Sequence, residues 1–156
     1  MQSWSPVEIP QLDFVSPQLC VYSSDSQNLV SLPNTGDVRM YVCGITPYDA
    51  THIGHATTYL TFDILQRIWR ASGANVHYTQ NVTDVDDPLI ERAIATGRQW
   101  QDIAVEQTEL FRSDMVAMRV IPPDHYIGAV ESIGLVVKQI EALKSHDAVY
   151  DLDGDL

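Results

Sequence analysis

The stretch Tyr41-Val42-Cys43-Gly44-Ile45-Thr46-Pro47-Tyr48-Asp49-Ala50-Thr51-His52-Ile53-Gly54-His55 decides how the chain is read. Its start belongs to a short apolar run, residues 38–43, which reads as a buried strand. Gly44, Pro47 and Gly54 then interrupt regular structure, so residues 44–55 read as a loop. From about Ala56 the pattern turns helical. Tyr59, Leu60, Ile64, Leu65, Ile68 and Trp69 recur at spacings of three and four and give one apolar face. Ser72-Gly73 closes that helix, and residues 76–82 alternate as a second strand. Strand, loop, helix, strand is a βαβ unit, which implies parallel strands joined by a crossover. Ligands of open parallel sheets bind at the carboxyl ends of the strands, where this loop lies.

Two histidines, His52 and His55, flank Gly54 where the helix begins. A helix N-terminus has free N–H groups and the positive end of a dipole, both suited to phosphate. Two imidazoles there can donate hydrogen bonds to a polyphosphate, and Gly54 leaves room for a nucleotide beside the backbone. A His pair at this spacing can also bind metal, so phosphate and metal stand as alternatives on the spacing alone. Cys43, at the strand end, is either a packed small side chain or one ligand of a zinc site. A local site of Cys43, His52 and His55 is a further option. The second strand closes on Asn81-Val82-Thr83-Asp84-Val85-Asp86-Asp87. Asn81 and Thr83 can reach the same ligand. The aspartates read as caps of the next helix, with a Mg²⁺ site as the alternative.

Working outward, residues 1–17 contain Pro6, Pro10 and Pro17 and form an extended arm. Trp4, Ile9, Leu12 and Phe14 suit it to packing on the body of the protein. Residues 19–22 read as a strand with Cys20 as a small buried hydrophobe, and residues 23–37 as turns. Residues 88–96 form a helix opened by Pro88. A second helix spans residues 101–119 with Ile103, Leu110, Met115 and Met118 as core candidates. Pro122-Pro123-Asp124 ends it and leaves His125 in a loop. A third helix covers residues 129–144, with His146 near its end, and residues 149–152 could start a strand. His77 reads as structural. The fold expectation is α/β, a Rossmann-like half-domain with additional helices. It divides into an arm and first strand (1–37), a nucleotide-binding βαβ unit (38–100) and a helical part (101–156) that opens an inserted or connecting segment.

At 156 residues with 45% hydrophobic content, the chain is long enough for a core and too apolar for disorder. No run approaches the roughly 20 apolar residues of a membrane span. The first ten residues lack the features of a secretion signal, so the expected location is the cytoplasm. Nine Lys and Arg face 21 Asp and Glu, for a net charge of −12. The only lysines are Lys138 and Lys144. Such a chain repels phosphate backbones at long range, so small molecules are the expected partners, not nucleic acid. Two cysteines do not make a disulfide framework.

His52-Ile53-Gly54-His55 matches the HIGH signature of class I aminoacyl-tRNA synthetases. The wider set is residues 40–46 with Tyr48-Asp49, then Thr61-Phe62-Asp63 and residues 81–87. In that order it resembles the cysteinyl-tRNA synthetase group over nearly the whole chain. Within the group the sequence looks like the branch that joins cysteine to glucosaminyl-inositol in mycothiol biosynthesis. Met1-Gln2-Ser3-Trp4 resembles the start of that branch. Pro47 stands where the synthetases usually have Val, Ala56-Thr57 where they have a small residue and Arg, and Asp87-Pro88 where they have Asp-Lys.

The resemblance implies a HUP-type class I catalytic fold, of which this chain is an amino-terminal portion. It implies ATP with Mg²⁺ as substrate, cysteinyl-adenylate as intermediate and glucosaminyl-inositol as acceptor, handled by a monomer. Cys43 would be one zinc ligand, with the others outside the chain. Gly44, Ile45 and Thr46 would line the adenylate pocket, completed by Thr58, Asn81, Val82 and Thr83. His52 and His55 would stabilise the adenylation transition state. The lysine loop that neutralises pyrophosphate has no counterpart here, so the portion alone is expected to be inactive. The alternatives are a cysteinyl-tRNA synthetase and a non-catalytic nucleotide-binding fragment.

Overall fold

The computed structural model describes residues 1–10, 12 and 17–152. A hairpin of β1 (Cys20–Ser23) and β2 (Asn28–Ser31) comes first. Then follow β3 (Gly36–Val42), α1 (Ile53–Ala71), β4 (Ala74–Val82), α2 (Asp87–Thr96), α3 (Trp100–Ala117), β5 (His125–Gly128) and α4 (Ala129–Lys144). The main sheet has the order β3-β4-β5 and is parallel throughout. Its register pairs Val42 with Gln80 and Val82 with Gly128, so the carboxyl ends of all three strands share one edge. This is the α/β, Rossmann-like architecture expected, and its first crossover is the βαβ unit read from residues 38–82.

One face of the sheet carries the core. Val38, Met40 and Val42 of β3 and Ala74, Val76, Tyr78, Gln80 and Val82 of β4 are buried, while the residues between them are exposed or half-buried. That alternation is the signature of a sheet covered on one side. Tyr59 and Trp69 of α1 pack into the same core, with Phe111 and Met115 of α3 and Tyr126 of β5. Trp4 joins them. It meets Phe111 and Tyr126 edge-on, and its Nε1 donates to the Val120 carbonyl at 2.8 Å. The arm therefore packs through Trp4, whereas Leu12 is exposed and Phe14 lies outside the described residues. Leu89 and Ala93 form a smaller core with Ile103 and Ala104, which joins α2 to α3.

Several expectations are corrected. The buried face of α1 is not wholly apolar: Leu60 and Ile64 are exposed, and Asp63 and Gln66 are buried instead. Both polar side chains serve the chain after α3. Asp63 accepts from the Ile121 N–H at 2.8 Å and from Arg67 at 2.6 Å, and Gln66 donates to the Ile121 carbonyl. In α3, Phe111 and not Leu110 faces inward, and Met118 is only half-buried. Residues 23–37 contain β2, and His125 begins β5. Cys20 is exposed, because a two-stranded hairpin has no second layer to bury it. His77 is exposed in β4, beside Asp37 and Asn75. At residues 149–152 there is no strand, only an isolated bridge at Leu152. Among the described residues no helix is long and apolar enough to cross a membrane.

Candidate functional site

The site grows from the carboxyl edge of the sheet. As β3 ends, the chain turns at Cys43-Gly44 and meets the end of β4. The Gly44 N–H donates to Asn81 Oδ1 at 2.8 Å, and the Tyr41 hydroxyl donates to the same oxygen at 2.9 Å. Asn81 Nδ2 reaches the Thr83 hydroxyl at 3.3 Å, while the Thr83 N–H donates to the Ile45 carbonyl at 2.9 Å. Asn81 thus ties the ends of the two strands together. Cys43 is exposed at this rim, and its carbonyl accepts from the Tyr59 hydroxyl at 3.2 Å. Burial pushes the Tyr59 phenol up, so it stays protonated as that donor.

The loop then delivers two imidazoles. The helix α1 begins at Ile53, three residues earlier than the periodicity suggests, because His52 is its N-cap. His52 Nδ1 accepts from the Gly54 N–H at 3.0 Å, and His55 Nδ1 accepts from the His52 N–H at 3.2 Å. This is a capping box built from two histidines. Their ring centroids are 4.2 Å apart. A Cβ on residue 54 would stand 2.7 Å from His52 Cε1, so glycine there makes room for the ring.

Both Nδ1 atoms accept hydrogen bonds, so each neutral ring carries its proton on Nε2. Partial burial and the neighbouring His52 hold the His55 pKa below the usual imidazole value, which favours the neutral ring. The result is two adjacent Nε2–H donors at the N-terminus of a helix with no acidic residue in its first turn. That is a place for an anion.

The remaining expected residues fall into two groups. Thr46 and Thr58 have side chains at the surface of the site. The Thr46 hydroxyl approaches Asp86 Oδ2 at 3.5 Å, and the exposed Thr58 hydroxyl donates to the Gly54 carbonyl at 3.2 Å. Ile45 and Val82 bury their side chains in the core, so only their backbones border the rim. Asp86 caps α2 by accepting from the Asp87 N–H at 2.9 Å. Asp84 caps a different helix: its Oδ1 accepts from the Val130 N–H at 2.9 Å, at the start of α4. Two of the three aspartates are therefore engaged as caps.

Among the described residues no group of three His, Cys, Asp or Glu side chains converges to hold a metal. Cys43, His52 and His55 are thus not brought together as a local three-ligand group. Each ring has already committed Nδ1 to the capping box. Sequence reading also passed over Thr51 and Asp114. The Thr51 hydroxyl donates to Asp114 Oδ2 at 2.5 Å across 63 residues of chain. Only their long-range pairing reveals them.

Residues 29–156 match the family described as tRNA synthetases class I (C) catalytic domain. The whole chain is also similar to proteins named L-cysteine:1D-myo-inositol 2-amino-2-deoxy-alpha-D-glucopyranoside ligase. The one from Kribbella flavida is 57% identical, with 100% of this chain and 39% of the relative covered. Those from Catenulispora acidiphila and Thermomonospora curvata are 53% and 52% identical, again over 100% of this chain, with 37% and 39% of the relative covered. The chain thus spans well under half the length of the curated relatives it matches.

Proposed function

The chain belongs to the class I (C) tRNA synthetase catalytic domain family, and on that premise we propose that it forms the nucleotide-binding part of an ATP-dependent ligase joining L-cysteine to the amine of glucosaminyl-inositol. The observation that carries the proposal is the pair of adjacent, mutually tilted imidazoles, His52 and His55, with both Nδ1 atoms occupied and both Nε2–H groups left to donate. The names of the relatives support the choice of cysteine and of the sugar amine.

The chemistry runs in two steps. An oxygen of the cysteine carboxylate attacks the α-phosphorus of ATP, the bond to the β-phosphate bridge breaks, and pyrophosphate leaves. His52 and His55 donate from Nε2 to the phosphate oxygens on which charge gathers. Because the capping box has fixed their orientation beforehand, little reorganisation is needed in the transition state. The acceptor amine then attacks the acyl carbon of cysteinyl-adenylate. AMP departs with the bonding pair, the nitrogen loses a proton, and an amide remains. Gly44, Thr46, Thr58, Asn81 and Thr83 border the adenylate, with the backbones of Ile45 and Val82 below them. Mg²⁺ enters with the nucleotide phosphates.

If the zinc of the synthetase group binds, the exposed thiol of Cys43 would be one of the groups that hold it. When bound, zinc supplies a thiophilic grip that separates cysteine from serine. The small-molecule character of the reaction suits the net charge of −12.

The test supplies the full-length protein with ATP, L-cysteine and each of two acceptors. Consumption of glucosaminyl-inositol with stoichiometric AMP supports the proposal. Cysteine attached to tRNA, with the sugar untouched, overturns the acceptor, and failure to form AMP with either overturns the reaction.

A further inference from the structure

Residues 43–52 carry the proposed chemistry without belonging to a helix or strand, so something must hold them. At their front end Asn81 does so. At their back end, next to His52, stands the hydrogen bond from the Thr51 hydroxyl to Asp114 Oδ2 at 2.5 Å. Asp114 lies in the last turn of α3. Its neighbour Met115 and, one turn earlier, Phe111 are almost fully buried in the main core, so the helix backbone that carries Asp114 is anchored. Beside it is a cleft of about 260 Å³ between the start of α1 and the end of α3, lined by Thr51, His52, His55, Asp114, Met115 and others. That space is open to Thr51 and to the His52 ring if the bond is cut.

We infer that Asp114, acting through Thr51, is a positioning residue for the His52–His55 pair. The inference rests on the reading of those histidines as phosphate donors. The carboxylate touches no reacting atom. It holds the residue that precedes the N-cap, so that His52 keeps extended backbone angles (φ −129°, ψ 176°) and presents Nδ1 to Gly54. With the bond lost, the capping box loosens and the Nε2–H donors lose their alignment. An ångström of misplacement at such a site costs about a hundredfold in rate.

The experiment compares Thr51→Val, Thr51→Ser, Asp114→Ala and Asp114→Asn in the full-length protein. It reads cysteine-dependent ATP–pyrophosphate exchange and the hydrogen-exchange rate of the Gly54 amide. Thr51→Val preserves size and tests the tether where Asp114→Ala disturbs folding. The expected result is a kcat lowered by about tenfold to a hundredfold in Thr51→Val and Asp114→Ala, with KM for ATP within about twofold. Their Gly54 amides exchange faster. Thr51→Ser and Asp114→Asn keep a hydroxyl and an acceptor oxygen and stay near native. The double variant Thr51→Val/Asp114→Ala is no worse than the more damaging single one. Native kcat and native Gly54 exchange in Thr51→Val overturn the inference, as does Asp114→Asn falling as far as Asp114→Ala. The reading beneath it fails separately, if His52→Ala leaves kcat unchanged. The Gly54 exchange then still reports whether the tether orders the cap.

Discussion

Gly44 and Asn81 are joined at the carboxyl edge of the sheet more tightly than any side chain on Gly44 would permit. The Gly44 N–H donates to Asn81 Oδ1 at 2.8 Å, and a Cβ on Gly44 would lie 1.5 Å from the Asn81 carbonyl oxygen. The atom in the way is backbone, so no rotamer change relieves the clash. Gly44→Ala must separate the strand ends, at a cost of about 3 kcal/mol or more, the upper range for overpacking. Chemical denaturation measures this, and the loss is expected with an unchanged m-value.

Asn81→Ala tests the same junction from the other side. It removes the acceptor of the Gly44 N–H and of the Tyr41 hydroxyl, together with the bond to Thr83. An orphaned backbone donor costs about 1–3 kcal/mol, less to the extent that water reaches it. Asn81→Asp keeps the acceptor oxygen and is expected to recover most of the stability. The same denaturation series checks both.

Stability should depend on pH through the histidine capping box. The folded-state pKa of His55 lies below its ordinary value because of partial burial and the neighbouring His52. The unfolded chain therefore takes up the proton first as pH falls. The contribution is fully present above the unfolded pKa of about 6.5 and is lost as pH falls through the lower folded value. Protonation also turns Nδ1 from acceptor to donor, which breaks the bond from the His52 N–H. The melting temperature should drop between neutral and mildly acid pH, and His55→Gln should show a shallower slope over that interval.

Trp4 anchors the amino-terminal arm. It is almost fully buried, touches Phe111 and Tyr126, and donates to the Val120 carbonyl. Trp4→Ala should cost about 3–5 kcal/mol as a large-to-small core change. Trp4→Phe should lose less, since the ring is largely kept and the hydrogen bond is given up. Thermal unfolding of the two variants separates packing from hydrogen bonding.

What could be read from sequence is what lies close in sequence. The βαβ order follows from local periodicity, and α4 begins and ends at the residues expected, Ala129 and Lys144. His52 and His55 declare themselves because three residues on a helix start are enough to bring them together. β5 is hidden, because four residues after a double proline become a strand only when β4 offers its edge. The burial of Asp63 and Gln66 is hidden for the same reason: their partner Ile121 arrives from more than fifty residues away. The dual service of the aspartates escaped too. Asp86 caps the next helix, as local reading suggests, but Asp84 caps α4, which follows only after two further helices. Cys20 misled because its Leu-Cys-Val-Tyr setting looks like core, whereas a hairpin with no layer above it leaves the thiol exposed.

The central claim is that His52 and His55 grip the nucleotide triphosphate through Nε2. The direct test is a long-range ¹H–¹⁵N correlation of the histidine rings in the full-length protein, recorded above pH 7 with and without Mg²⁺–ATP. The account predicts that both rings show an unprotonated Nδ1 and a protonated Nε2 before nucleotide is added. On addition, the Nε2 and Hε2 signals of these two rings should move while those of His77 and His146 stay in place. Saturating ATP binding that leaves both rings unmoved, or rings protonated on Nδ1 at the outset, would contradict it.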